Sequence, residues 1–171
     1  MEPIVSHTMY IKVENDHQIE CLTRLAKEIW TEHFGRIISK ETLDAIIETV
    51  QSKAAVAKQM NDGLLYYLIP GKRSPVGYFA YRLSASKGEL FLSKLYLLAA
   101  ERRKGLGRRV LQHLETICRD NALSNIRLTV YPKNKSAIES YKKLGFQTTG
   151  TIHRDLGHGI ALNDIVMQKT I

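Results

Sequence analysis

Between residues 8 and 13 the stretch TMYIKV alternates polar and apolar side chains, the period of a half-buried strand. The period then changes. Ile19, Leu22, Leu25, Ala26 and Ile29 recur at steps of three and four, which puts them on one face of a helix. Asp16 is placed to cap that helix and Gly35, after His33 and Phe34, to stop it. A second stripe, Leu43, Ile46, Ile47, Val50 and Ala54, follows the capping residue Ser39. Beyond the turn NDG at 61–63, LLYYLI and VGYFAYRL read as antiparallel strands joined by the turn PGKRSP. ELFLSKLYLL at 89–98 is mostly apolar on both faces and predicts a central strand, the fourth. A helix with the stripe Val110, Leu111, Leu114, Ile117 and Cys118 follows, then the strand NIRLTVY. A short helix, NKSAIESYKKLGF, stops at Gly145. Two last strands, QTTGTIHRDL and ALNDIVMQKTI, flank a GHG turn. The order β-α-α-β-β-β-α-β-α-β-β predicts a mixed α/β sheet with helices packed on it.

The chain has 171 residues and shows no repeat or linker, so residues 1–171 are expected to form one domain with a real core. At 44% apolar and 25% charged the composition is that of an ordinary globular protein. A net charge of +8 favours anionic partners: nucleic acid, acidic membranes or phosphorylated cofactors. Cys21 and Cys118 lie far apart in helical patterns, as reduced thiols of a cytoplasmic protein do, and no Cys/His spacing suits zinc. The first residues lack a basic segment followed by a long apolar run, and no apolar run is long enough to span a membrane. The expectation is a cytoplasmic protein with no metal and no membrane contact.

One stretch breaks a local rule. ERRKGLGRRVL, residues 101–111, gathers basic side chains where a helix starts, although the helix dipole is already positive there. A bound anion reverses that penalty. The first N–H groups of a helix have no internal partner and point outward, and Gly105 and Gly107 carry no Cβ to keep a phosphate from the backbone. Neither the P-loop pattern nor a third glycine for a dinucleotide fingerprint is present, since Val110 stands where that glycine belongs. What is left is Arg102-Arg103-Lys104-Gly105-Leu106-Gly107, or R-x-x-G-x-G.

This pattern between the fourth strand and the third helix resembles the acetyl-CoA motif of the GNAT superfamily of acyl-CoA-dependent N-acyltransferases. A second segment, Asn134 to Phe146, is similar to the family's N-x-x-A-I-x-x-Y-x-x-x-G-F. The resemblance, closest to small bacterial N-acetyltransferases, implies a mixed, twisted sheet of about seven strands flanked by four helices. It implies acetyl-CoA as co-substrate, its pyrophosphate on the backbone of residues 103–108, so that Arg102, Arg103, Lys104, Gly105, Leu106, Gly107 and Arg108 form the cofactor turn. It further implies a bulged fourth strand whose Leu95, Tyr96 and Leu97 line the pantetheine arm, with a backbone N–H near Leu97 polarising the thioester. Asn134 would bind the cofactor as well as cap its helix. Tyr141 would protonate the departing thiolate as general acid while a neutral amine attacks directly.

Two positions depart from relatives of this family. Ser93 and Lys94 stand where several carry a carboxylate, and Thr129 where others carry a glutamate. The base is left open among Glu32, His33, Glu89, His153, Asp155 and His158. Trp30, His33 and Phe34 are candidates for the acceptor-site wall. The acceptor is a small-molecule or peptide amine: a polyamine, another small amine, an antibiotic or a protein. A polycationic acceptor calls for an acidic pocket, for which Glu28, Glu32 and Glu41 are the local acids. Two other functions stay open at this point. One is a catalytically silent acyl-CoA-binding regulator. The other is a basic nucleic-acid-binding module, disfavoured because the basic turn lacks interleaved aromatics for stacking. No nucleic-acid partner is expected, and a homodimer is left open.

Overall fold

The computed structural model describes residues 10–157 and 159–171. Its elements are β1 (Ile11–Lys12), α1 (Asp16–Phe34), α2 (Lys40–Gln51), α3 (Lys53–Asn61), β2 (Leu65–Ile69), β3 (Gly77–Ser84), β4 (Glu89–Leu97), α4 (Leu106–Asp120), β5 (Asn125–Val130), α5 (Lys135–Lys143), β6 (Gln147–Gly157) and β7 (Ile160–Thr170). The seven strands form one sheet in the order β1-β2-β3-β4-β5-β7-β6. β4 is central, as its two apolar faces require. It runs parallel to β5, and the remaining neighbours pair antiparallel.

Each face of the sheet carries its own apolar layer. On one side Phe79, Tyr81, Leu90, Leu92, Ile126 and Leu128 meet Val110, Leu111 and Leu114 of α4 and Ile138 of α5. On the other, Tyr66, Leu68, Tyr78 and Ala80 meet the α1 stripe and Val56 of α3. Trp30 and Phe34 at the end of α1 pack with Leu43, Ile46 and Ile47 of α2. The stripes read from the sequence are therefore the inward faces, except that Ala54 of the second stripe is exposed on α3.

Three details differ from the sequence reading. Asn15, not Asp16, caps α1: its Oδ1 accepts the Gln18 N–H at 2.9 Å while Gln18 Oε1 accepts the Asn15 N–H at 3.2 Å. This is a reciprocal capping box, in which asparagine at the cap and glutamine three residues on satisfy two orphan donors at once. The second helical segment is broken at Ser52, which leaves the helical region (φ −70°, ψ 161°) to cap α3 through the Ala55 N–H. The first strand is described only at Ile11–Lys12, and residues 8 and 9 of the expected strand lie outside the described residues. In the GHG turn Gly157 and Gly159 hold φ values of 77° and 73°, and His158 lies outside the described residues.

Candidate functional site

The sheet opens at its centre. β4 and β5 are paired only from Glu89↔Asn125 to Leu92↔Leu128. Beyond that β4 follows β3 and β5 follows β7, so a wedge separates Ser93–Leu97 from Thr129–Tyr131. At its root β4 is bulged. Tyr81 pairs with Leu92 and Ala80 with Lys94, which leaves Ser93 as the extra residue. The bulge shifts the alternation. Leu90 and Leu92 face the α4 layer and so do Leu95 and Leu97, whereas Tyr96 packs among Trp30, Phe34 and Tyr78 on the other side. All of Leu95, Tyr96 and Leu97 line a cavity of about 1390 Å³ that runs through the wedge.

The turn before α4 forms one wall of that cavity. Arg103 (φ 61°) and Gly105 (φ 79°) are both left-handed. Backbone of this kind turns successive N–H groups toward one point, and a non-glycine residue is uncommon in it. Gly105 caps α4 without any side-chain hydrogen bond, and the first turn of the helix carries no acidic residue. The N–H groups of Leu106, Gly107 and Arg108 are thus open to an anion. A Cβ built at Gly107 meets nothing within 4 Å, so the glycine is not demanded by packing. Arg102, Arg103, Gly105, Leu106 and Gly107 line the cavity, and Arg102 Nε donates to the Leu97 carbonyl at 3.2 Å. Lys104 turns to Glu101 at 3.3 Å, and Arg108 faces an adjoining hollow beside Glu115 and Lys143.

The second motif supplies the opposite wall. Asn134 is 7% exposed and caps α5, its Oδ1 accepting from the Ala137 N–H at 3.3 Å. Tyr141 lies one wall further in, edge-on to Phe146 at 5.4 Å between centroids. Desolvation holds its phenol well above the usual range, so it carries its proton at neutral pH. Trp30, His33 and Phe34 close the cavity from the end of α1. Desolvation, followed by the Arg102 charge, lowers the His33 pKa, which favours the neutral imidazole. Among the described residues named as candidate bases, His33 is the one that lines the cavity. The others are engaged elsewhere: Glu32 accepts the Ala99 N–H, Glu89 faces Arg127, His153 meets Asn163 and Asp155 accepts the Gly157 N–H.

Behind the wall made by Trp30, His33 and Phe34 runs a chain of polar side chains that the sequence reading missed. Trp30 Nε1 donates to the Tyr78 hydroxyl at 2.8 Å, and Tyr78 donates to Gln51 Oε1 at 2.5 Å. Gln51 Nε2 donates to the Tyr66 hydroxyl at 3.3 Å, and Tyr66 donates to Gln59 Oε1 at 2.6 Å. Lys94 Nζ donates to the same Gln59 oxygen at 3.1 Å and to Ser93 Oγ at 3.3 Å, and stands 5.6 Å over the Tyr66 ring. Desolvation and the nearby Arg154 charge bring its pKa down to about 8. Across the cavity Asp164, 1% exposed, is paired with Arg154 at 2.5 Å through Oδ2, while Oδ1 has no partner among the described residues. Gln51 was detectable as a polar residue on the apolar stripe of its helix. Asp164 was visible only as an acid beside the apolar run Ile165–Met167 of β7.

Among the described residues no group of acidic, histidine or cysteine side chains is arranged to hold a metal, and no helix is long and apolar enough to cross a membrane. A family model described as the acetyltransferase (GNAT) family matches residues 22–146. The chain is similar to a spermidine N(1)-acetyltransferase of Thermoplasma acidophilum, 27% identical over 138 residues that cover 78% of this chain and 84% of the relative. It is also similar to N-alpha-acetyltransferase 50 of Danio rerio, 38% identical over 79 residues, 44% of this chain and 47% of that one. Among solved structures, the PaiA N-acetyltransferase of Thermoplasma acidophilum in complex with coenzyme A shares the fold. Its TM-score is 0.75 at 22% identity, over 95% of this chain and 99% of that one.

Proposed function

The chain belongs to the GNAT acetyltransferase family and is an acetyl-CoA-dependent N-acetyltransferase, and on that premise we propose that it acetylates a primary amine by direct attack with Tyr141 as general acid. The observation that carries this reading is the convergence on one cavity of three parts: the uncapped start of α4, the unpaired edge of β4 and the Tyr141 side chain. The open N–H groups of residues 106–108 suit a pyrophosphate. From there an extended pantetheine arm fits the wedge, where the β4 backbone beyond Leu92 lacks a strand partner on the β5 side.

The chemistry follows from what the walls offer. The amine lone pair bonds to the thioester carbonyl carbon as the carbon–sulfur bond breaks. A backbone N–H near Leu97 suits the carbonyl oxygen, whose negative charge grows in that step. The Tyr141 hydroxyl gives its proton to the departing sulfur, a role that its burial-raised pKa supports because the phenol stays protonated. The amine must lose a proton to attack. His33, held neutral by desolvation and lining the cavity, is the candidate that takes it, directly or through water.

The test is a thermal shift with acetyl-CoA followed by CoA release with a panel of amines. A saturable shift with amine-dependent release is the expected result. A shift without release from any amine would mean a silent acyl-CoA binder, and the transfer reading would fall.

A further inference from the structure

The acceptor side of the cavity carries more positive than negative charge. Arg82 and Arg127 flank the Phe91 ring at 5.2 and 5.7 Å on the same face of the sheet as Lys94. Arg154 adds a fourth cation from β6. The acids there are already engaged: Asp62 with Lys58 at 2.7 Å, Glu89 with Arg127 at 3.9 Å, and Asp164 with Arg154. Lys94 differs from Arg127 and Arg154, each of which faces a carboxylate. Both of its hydrogen-bond partners are neutral oxygens, and no carboxylate pairs with it among the described residues. An ammonium has three N–H donors, so one is left over. The polar chain from Trp30 to Gln59 holds the amine at the mouth of the wedge rather than letting it swing to solvent.

A half-buried cation fixed by neutral partners is short of one counter-charge. A dicationic or tricationic acceptor makes that worse, because it brings like charge to the same space. An acceptor with its own anion completes it. We propose, resting on the transfer reading above, that the acceptor is a small amine bearing an anionic group, with Lys94 seating the anion. The class includes amino acids and phosphorylated amines, and excludes polyamines as preferred substrates. Lys94 is then a specificity-determining residue.

The experiment compares matched acceptors that differ by the anion: cadaverine with lysine, and ethanolamine with O-phosphoethanolamine, with spermidine as the polycation. CoA release gives kcat/KM for each, with wild-type protein and with Lys94→Gln. In the wild type the anionic member of at least one pair should exceed its partner by about ten- to hundred-fold, the size of one charge-assisted hydrogen bond. Lysine ahead assigns a carboxylate, and O-phosphoethanolamine ahead a phosphate. In Lys94→Gln the advantage should collapse through KM. The wild-type pairs decide the matter even if that variant folds poorly. Equal rates within both pairs, or spermidine as the best acceptor, overturn the inference while leaving the transferase standing. Acetyl-CoA binding with no release from any amine overturns both.

Discussion

Replacing Lys94 with methionine should stabilise the fold, and by an amount that depends on pH. The folded chain holds the Lys94 proton with a pKa of about 8, against 10.5 for the free side chain. Below about pH 8 the amine is charged in both states, and the folded state bears the full penalty of a desolvated cation. Between about 8 and 10.5 the native amine has released its proton while the unfolded one still holds it. Stability of the wild type therefore rises with pH through this window, and the penalty is gone above it. At about 1.4 kcal/mol per pH unit, the window sets a ceiling of ~3.5 kcal/mol. Lys94→Met keeps an unbranched stem against Tyr66 and loses the titration. Urea unfolding of both proteins, followed by circular dichroism from about pH 7 to about pH 10, isolates the effect because every other titrating group cancels in the difference. The variant should lead by most near neutrality, and the lead should shrink steadily as the solution becomes alkaline. A lead that stays constant across the range, or a variant less stable at every pH, would refute the desolvation argument.

Three other substitutions test other parts of the site. Tyr141→Phe should lower kcat by about 100-fold, the usual contribution of a positioned acid, with acetyl-CoA affinity unchanged; equal turnover in a calorimetry-matched pair would remove Tyr141 from the chemistry. Gly107→Glu places a carboxylate beside the open N–H groups of α4, where a side chain meets no protein atom. Its melting temperature should match the wild type while the acetyl-CoA shift disappears, and a retained shift would move the pyrophosphate elsewhere. Gly77→Ala drives a Cβ to 2.5 Å from the Tyr96 carbonyl and 2.7 Å from Leu97 Cδ2. It should destabilise by about 1–3 kcal/mol in urea, and a neutral result would mean that β3 and β4 can part there at no expense.

Periodicity carried most of the fold. The strands and the buried stripes of α1, α2, α4 and α5, from Ile19 to Ile138, followed from spacing, because burial on one face leaves a periodic record in the chain. The break at Ser52 left a fainter one: Ala54 continues the stripe of α2, and only the capping habit of serine marks the end. The place of the bulge was illegible for a related reason. A run that is apolar on both faces conceals a change of alternation, so Ser93 could not be singled out. The turn before α4 was legible as a candidate anion site because Arg102 to Gly107 violate a local electrostatic preference. The polar chain behind Trp30 was not. Gln51, Gln59, Tyr66 and Tyr78 come from four elements, and their hydrogen-bond chain exists only after α2 and α3 have docked on the sheet.

The single extra residue in β4 has a consequence for how this enzyme can change. Side chains on the two halves of the strand are out of phase, and the phase is set by one peptide unit at Ser93. Drawing Ser93 into regular pairing opposite Ala80 would rotate Lys94 into the greasy layer beneath α4 and bring Leu95 out to the face that carries Tyr96. Acceptor preference at this position can thus drift by replacement of a side chain, but a slip of the strand would destroy the layer and the preference together.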